Sequence, residues 1–240
     1  MKKIVRNLMS AALMECCPPR VVELIVNDPR FDKVNQCCED DLIAFASKDP
    51  AAHGRASDIA FGYGSYKAVL HYRMAHMLLD KIKIEGDPQR ELESAAMLLS
   101  SRGKFVSGAE IHARSRIGQR FVLDHGYGTV IGETTEIGDD CYVLGGVVLG
   151  ATGISSNPEG KRHPTIGNRV EIGAFARVFG NVVIGDDVFV APHCVIKDDI
   201  AADSVVTVRT ELQLIQRRSM AAPRGTAANW PTVKPMEILR

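Results

Sequence analysis

Apolar residues repeat along this chain with two different periods, and the change falls near residue 105. Before that point they recur at three- and four-residue spacings, as at Val69, Leu70 and Leu78. This spacing puts one apolar stripe on a helix, which can then pack against a core. Helices are predicted at residues 21–26, 42–46, 61–84 and about 88–99, separated by Pro- and Gly-containing breaks. The sequence therefore predicts a helical domain over residues 1–104.

After residue 105 the period becomes six. The aliphatic residues in this register are Ile111, Ile117, Leu123, Ile131, Ile137, Val143, Leu149, Ile166, Ile172, Val178, Ile184, Val190 and Ile196. A fixed six-residue period is typical of a hexapeptide β-helix, in which three short strands make one triangular coil. Stacked coils bury an apolar column that no single coil buries alone. We predict an α+β chain with a parallel β-helix over residues 105–208 and a tail over 209–240.

The six-residue period is interrupted between Leu149 and Ile166 by a polar insert that contains Arg162 and His163. A loop that protrudes from a rigid solenoid is a frequent location for functional residues. Two other fold classes are excluded. A dinucleotide-binding fold is excluded because no GxGxxG joins a strand to a helix. A β-sandwich is excluded because the two-residue alternation typical of its strands is absent.

Composition narrows the function further. Lys+Arg and Asp+Glu both number 29, and aromatic residues make up only 6%. This balance argues against a nucleic-acid-binding protein, which needs a basic surface and stacking side chains. No stretch reaches the roughly 20 apolar residues of a membrane span, and the N-terminus is interpreted as an amphipathic helix. The six cysteines form no CxxC motif, so we expect reduced thiols and a cytoplasmic protein.

Several motifs of the repeat region occur in the order found in one enzyme family. They are LDHGYGTVIGETTEIGDD at residues 123–140, EIHARSRIG at 110–118, LGATG at 149–153 and RHP at 162–164. Together they resemble the serine O-acetyltransferases, which are left-handed β-helix acyltransferases. The match is strong over about residues 105–190 and weaker back to about residue 66. The resemblance implies acetyl transfer from acetyl-CoA, as co-substrate, to the hydroxyl of L-serine. The product is O-acetylserine for cysteine synthesis, and the enzymes form homotrimers that can pair into hexamers.

The resemblance also assigns catalytic roles. His125 matches the family's general base, and a serine hydroxyl needs such a base because its own pKa lies far above neutral. Glu110 occupies the position from which an Asp orients this histidine in the family. The resemblance thus implies a catalytic pair of His125 and Glu110.

Substrate-binding roles follow from the same resemblance. Asp124 would bind the substrate ammonium group and Arg162 its carboxylate, for which a planar guanidinium is well suited. His163 would line the same site. Positions matching those that hold the pantetheine arm of CoA are Gly150, Ala151 and Ala174.

A zinc site is a possible alternative use of a trimeric β-helix, since some members of that fold are carbonic anhydrases. That chemistry needs three imidazoles around one metal ion. The histidines of the repeat region, His112, His125, His163 and His193, include no closely spaced pair. We therefore expect no metal.

The chain departs from the family in several places, including the end of the β-helix at residues 189–199, which lacks the family's pattern near CoA. The Asp49-Pro50-Ala51 motif is not followed by the carboxylate that the family carries there, and Asp58 is the predicted substitute. The loop before Arg162 is longer and contains Lys161. The chain ends in Arg instead of the Ile that docks into a partner sulfhydrylase, which argues against that complex. These departures keep two alternatives open: a related enzyme that acetylates a different small hydroxy or amino acceptor, and a non-catalytic β-helix scaffold.

Overall fold

A computed structural model describes the chain over residues 1–86 and 90–209. The predicted tail therefore lies outside the described residues, except for Arg209. Six α-helices come first in the described ranges: α1 (Lys2–Cys16), α2 (Pro19–Val26), α3 (Pro29–Lys48), α4 (Ala56–Gly62), α5 (Gly64–Glu85) and α6 (Glu91–Ser107). A 3-10 turn, Pro50–Ala52, joins α3 to α4.

The helices extend further than their apolar patterns predicted. Helix α3 has 20 residues, although the sequence indicated only 42–46, and it starts where the Asp28 side chain accepts the Arg30 N–H at 2.9 Å. Helix α6 runs on to Ser107 and ends at Gly108, whose positive φ of 72° favours glycine. Caps, which period alone does not reveal, set these ends.

The β region contains short parallel strands of two or three residues. They are β1 (Glu110–Ile111), β2 (Arg116–Ile117), β3 (Val122–Leu123), β4 (Val130–Ile131), β5 (Glu136–Ile137), β6 (Tyr142–Val143), β7 (Val148–Gly150), β8 (Thr165–Ile166), β9 (Glu171–Ile172), β10 (Arg177–Phe179), β11 (Val183–Ile184), β12 (Phe189–Val190), β13 (Val195–Ile196) and β14 (Val205–Val206). Three parallel sheets result: face A (β1-β4-β7-β10-β13), face B (β2-β5-β8-β11) and face C (β3-β6-β9-β12-β14). Every third strand thus pairs, as a three-strand coil requires, except that β14 pairs with β12 because the coil between them meets face B only through the isolated bridge of Ile200 to Ile184.

The strand register confirms the predicted six-residue period. Ile111 lies opposite Ile131 on face A, and the 13 aliphatic residues of the repeat are all buried. The structure also reveals a second interruption, which the sequence analysis missed. Leu123 and Ile131 are both inward-facing on consecutive strands, yet they are eight residues apart instead of six. The two interruptions fall at the two edges of face A, because β4 follows the first and β7 precedes the second.

A buried ion pair joins the helices to the first coil. Asp41 of α3 accepts hydrogen bonds from Arg73 of α5 at 2.9 and 3.1 Å, and from the Phe121 N–H at 2.8 Å. The Arg73 guanidinium also donates to the carbonyls of Ile117 and Gly118. Residues 1–208 accordingly form one compact unit.

We expect Asp41→Asn to lower the free energy of unfolding by about 3 kcal/mol, because it leaves the buried Arg73 charge without its counter-ion. Asp41 is 1% exposed, so water cannot replace the lost partner. Urea unfolding followed by circular dichroism measures the change. Asp32→Asn, on the exposed side of the same helix, is the matched control and should change stability by less than about 0.5 kcal/mol. Equal stability of the two variants would contradict the assigned role of the pair.

Candidate active site

His125 lies within residues 124–129, in a turn between face C and face A. We call this edge the His125 corner; it comprises residues 124–129, 144–147, 173–176 and 191–194 of successive coils. The His125 backbone adopts φ 58°, and its side chain is 82% exposed. The turn at residues 124–129 is the one with two extra residues, so it bulges from the coil and lets the imidazole project outward. A cavity of about 410 Å³ opens beside it. It is lined by Asp49, Ala51, Gly62, Tyr63, Gly64, Ser65, Val106, Ser107, Asp124 and His125.

Two carboxylates of this cavity are each held by a tyrosine. Asp124 Oδ2 accepts the hydroxyl of Tyr142 at 2.9 Å, and Asp49 Oδ2 accepts the hydroxyl of Tyr63 at 3.1 Å. Asp49 also accepts the Ala51 N–H at 2.8 Å, which fixes its rotamer. Each carboxylate thus has a defined orientation at the cavity.

The electrostatics of these pairs keep the phenols neutral. The hydrogen bond to Asp49 raises the pKa of Tyr63, and burial followed by the hydrogen bond to Asp124 raises that of Tyr142. Both tyrosines therefore remain hydrogen-bond donors at neutral pH. A site with two oriented carboxylates and neutral donors is complementary to an ammonium group.

The predicted base has little contact with the rest of this cavity. His125 Nε2 lies 3.9 Å from Asp124 Oδ2, which is too far for a hydrogen bond. Glu110 begins the first coil and donates its N–H to the Thr129 carbonyl at 2.8 Å. Its side chain, however, pairs with Lys104. In the described residues no hydrogen bond joins Glu110 to His125, so the structure does not bring together the catalytic pair that the resemblance implied.

Arg162 and His163 lie in the turn between face A and face B. We call this the Arg162 corner; it comprises residues 112–115, 132–135 and 151–164 of successive coils. Arg162 forms a salt bridge with Glu133. The Thr134 hydroxyl accepts the main-chain N–H groups of Arg162 and His163 at 3.0 and 3.1 Å. Thr134, which lies on the second coil, thereby fixes the backbone of Arg162 and His163.

The imidazole of His163 lies flat against Gly132. A Cβ added to Gly132 would fall 2.0 Å from His163 Cδ2, so no larger residue fits beneath the ring. His163 Nδ1 accepts the Thr134 N–H at 3.2 Å. Burial first, and then the neighbouring Arg162, lower the pKa of His163. The ring is therefore neutral near pH 7, with its proton on Nε2.

The predicted CoA-binding positions divide between the same two corners. Gly150 ends β7 and Ala151 follows it at the Arg162 corner. Ala174 lies between β9 and β10 at the His125 corner. The Gly150 carbonyl accepts the Gly180 N–H, and the Ala174 carbonyl accepts the His193 N–H. Both carbonyls therefore already accept hydrogen bonds from the next coil.

Face A separates the two sets of site residues. A chain advances roughly 3.3 Å per residue in a strand, so the corners at either end of this face are roughly 10 Å or more apart. In the described residues, neither Arg162 nor His163 contacts Asp124 or His125. The predicted site residues of one chain therefore form two separate groups.

The comparisons with known proteins agree with this architecture. The family model "Bacterial transferase hexapeptide (six repeats)" matches residues 163–198. The serine acetyltransferase of Helicobacter pylori is 42% identical over 157 residues, which is 65% of this chain and 84% of that protein. The chain belongs to the serine acetyltransferase family. Membership confirms the predicted left-handed β-helix and the acyltransferase class.

Solved structures show the same likeness. The Neisseria gonorrhoeae serine acetyltransferase in complex with serine superimposes with a TM-score of 0.72 at 26% identity, covering 86% of this chain and 82% of that one. The soybean serine acetyltransferase complexed with serine has a TM-score of 0.69 at 30% identity, covering 83% and 79%. The likeness includes the N-terminal helices as well as the coils.

Sequence reasoning missed Asp49 and selected Asp58 in its place. Asp58 is half exposed and pairs with Arg55 at 2.6 Å, and it does not line the cavity. Asp49 does, although its position before a proline indicated only a turn. Asp49 of the Asp49-Pro50-Ala51 motif is therefore a cavity carboxylate that the sequence analysis did not consider. Tyr63 and Tyr142 carried no motif and could not be identified without the structure.

Three further observations concern the described residues. All six cysteines are free. In residues 1–86 and 90–209 no helix has both the length and the apolarity needed to cross a membrane. The same ranges contain no group of three or more His, Cys, Asp or Glu side chains placed to hold a metal ion.

Proposed function

We propose that this protein transfers the acetyl group of acetyl-CoA to the hydroxyl of L-serine and releases O-acetylserine and free CoA. The observation that carries the proposal is the cavity beside His125, where Asp49 and Asp124 present oriented carboxylates to a substrate ammonium group. Membership of the serine acetyltransferase family supports the same reaction. Free cysteines fit a reducing compartment such as the cytoplasm.

The reaction needs one base and no change of oxidation state. His125 removes the proton from the substrate hydroxyl as its oxygen attacks the thioester carbonyl carbon. The tetrahedral intermediate then expels the CoA thiolate as the carbon–sulfur bond breaks, and the imidazolium returns the proton to sulfur. Asp49 and Asp124 hold the ammonium group, while Arg162 and His163 hold the carboxylate.

These roles require two chains, because the two groups of site residues lie at opposite edges of face A. In a homotrimer each His125 corner meets the Arg162 corner of a neighbour, so that three complete sites form. The pantetheine arm would lie between the same two corners, where Gly150, Ala151 and Ala174 are found. Trimers that pair into hexamers remain the proposed assembly.

The direct test is thiol release from acetyl-CoA by the purified protein with L-serine, with product mass as the second readout. Turnover with L-serine and a mass gain of one acetyl group on serine are expected. L-Threonine, L-homoserine and ethanolamine complete the acceptor panel. Silence with L-serine but turnover with another compound would replace the proposed acceptor. Silence with all of them would favour the scaffold alternative.

Asp49 rather than Asp58 should determine the affinity for serine. Asp49→Asn can still accept the Ala51 N–H on its amide oxygen and donate its amide N–H to the Tyr63 hydroxyl oxygen, but it removes the charge, so we expect KM for L-serine to rise roughly 10- to 100-fold. Asp58→Asn is the control and should leave KM unchanged, because its partner Arg55 faces solvent. Steady-state kinetics at saturating acetyl-CoA measures both. A larger rise in KM for Asp58→Asn than for Asp49→Asn would restore Asp58 as the predicted substrate-binding residue.

A further inference from the structure

Two histidines of the Arg162 corner carry an N–H that the fold leaves unused. Nδ1 of His112 accepts the main-chain N–H of Arg114 at 3.1 Å, as Nδ1 of His163 accepts that of Thr134. A ring nitrogen that accepts an N–H carries no proton itself, so a neutral imidazole then has its proton on Nε2. Across residues 1–86 and 90–209, neither Nε2 has a hydrogen-bond partner.

Both rings are neutral donors. Burial is the main reason that the pKa of His112 is lowered, with nearby Arg114 and Arg162 acting in the same direction against Glu133 and Glu110. Burial likewise lowers the pKa of His163. Near pH 7 each side chain therefore offers one N–H and no positive charge.

The two histidines occupy successive coils of one corner. Ile111 pairs with Ile131, and the His112 N–H donates to the Ile131 carbonyl at 3.0 Å, so His112 lies beside Gly132 across the ladder. The His163 ring covers that same Gly132, with Nε2 2.2 Å from where a Cβ would be. Neighbouring strands are roughly 4.8 Å apart. The two rings are therefore neighbours.

The donors at this corner suit a ligand with acceptor oxygens. Glu133 binds Arg162, and its other oxygen lies 3.7 Å from Arg114 Nε. Arg114 also pairs with Glu93 at 3.2 Å, so these two guanidinium groups face two carboxylates. The Arg162 guanidinium and the two unused imidazole N–H groups together form a cluster of donors suited to a further carboxylate.

We propose that His112 is a further substrate-binding residue, whose Nε2–H donates to the acceptor carboxylate together with His163 and Arg162. The inference rests on the proposed function, since it names an additional contact in that same site. The Arg162 corner then offers three donor side chains to one carboxylate, and two of these, the imidazoles, are uncharged. An acetyl acceptor with no group in place of the carboxylate gains no binding contact from His112.

The test replaces His112 by Asn, whose amide oxygen can still accept the Arg114 N–H but whose side chain does not reach the position of Nε2. In His112→Asn we expect KM for L-serine to rise about 10-fold and kcat to change less than about threefold, because a contact kept in ground and transition states alters binding only. His112→Gln, which restores a distal N–H, should recover part of the loss.

Ethanolamine separates this contact from a structural role. Since it carries no oxygen in place of the carboxylate, kcat/KM for ethanolamine should be the same in the wild type and in His112→Asn. Equal losses with L-serine and ethanolamine would overturn the proposal, as would a fall in kcat at constant KM. Calorimetric titration with L-serine gives a second readout without catalysis. Wild-type turnover with an unaffected His112→Asn variant rejects this inference alone, whereas a wild type that neither binds nor acetylates L-serine rejects the proposed function as well.

Discussion

His125→Asn should reduce kcat by about 10³-fold while leaving the fold intact. General-base catalysis contributes roughly 10²- to 10⁴-fold, and no other imidazole lines the cavity beside Asp124. Asn is the appropriate replacement because His125 has φ 58°, a conformation that Asn tolerates better than Ala does. The side chain is 82% exposed in the single chain, so its loss leaves no cavity in the core. Thiol release at saturating substrates measures the change.

His193→Asn is the matched control for that variant. His193 lies at the same corner on a later coil, has φ 65° and stacks on Phe175 with ring centroids 5.4 Å apart. It shares the backbone strain of His125 but has no carboxylate pair beside it. We expect its turnover to stay within about threefold of wild type. A similar loss in both variants would mean that the corner geometry matters and that His125 is not the base.

The regular part of the fold could be predicted because its physical cause is repetitive. Every inward position of a β-helix must be apolar, so Ile111, Ile131 and Leu149 reveal the coil by spacing alone. The short interruption before Ile131 escaped notice because it adds only two residues. The long insert before Ile166 was evident from its polarity. Sequence therefore located the Arg162 corner as a loop, but not the bulge that exposes His125.

The candidate site was only partly predictable for a related reason. His125, Asp124 and Arg162 lie within motifs, whereas Asp49 comes from the helical region and reaches the cavity through the fold. Tertiary placement of that kind leaves no periodic trace. The pairing of Glu110 with Lys104 is another example, since Lys104 belongs to α6 and its approach depends on where that helix ends.

Division of the site between two corners predicts that two inactive variants can restore each other. His125→Asn chains keep an intact Arg162 corner, and Arg162→Ala chains keep an intact His125 corner. If each site takes one corner from each of two neighbouring chains, every trimer that contains both variants has one intact site out of three. Co-expression of the two variants with different affinity tags, followed by purification through both tags, isolates the mixed assemblies. We expect them to regain thiol release that neither variant shows alone.

The double variant His125→Asn/Arg162→Ala, co-expressed with wild type under the same tags, calibrates this experiment. It places both defects on one chain, so the purified mixed trimers would keep on average roughly one sixth of their sites if the sites are shared, whereas sites built from a single chain would stay at one half. If the single variants complement each other and the double variant gives the lower fraction of intact sites, then each site is shared between two chains. No recovery between the single variants in mixed assemblies, together with half activity in the calibration, would mean that each chain folds its two corners into one site. That result would contradict the separation imposed by face A, whose strands β1, β4 and β7 lie between His125 and Arg162.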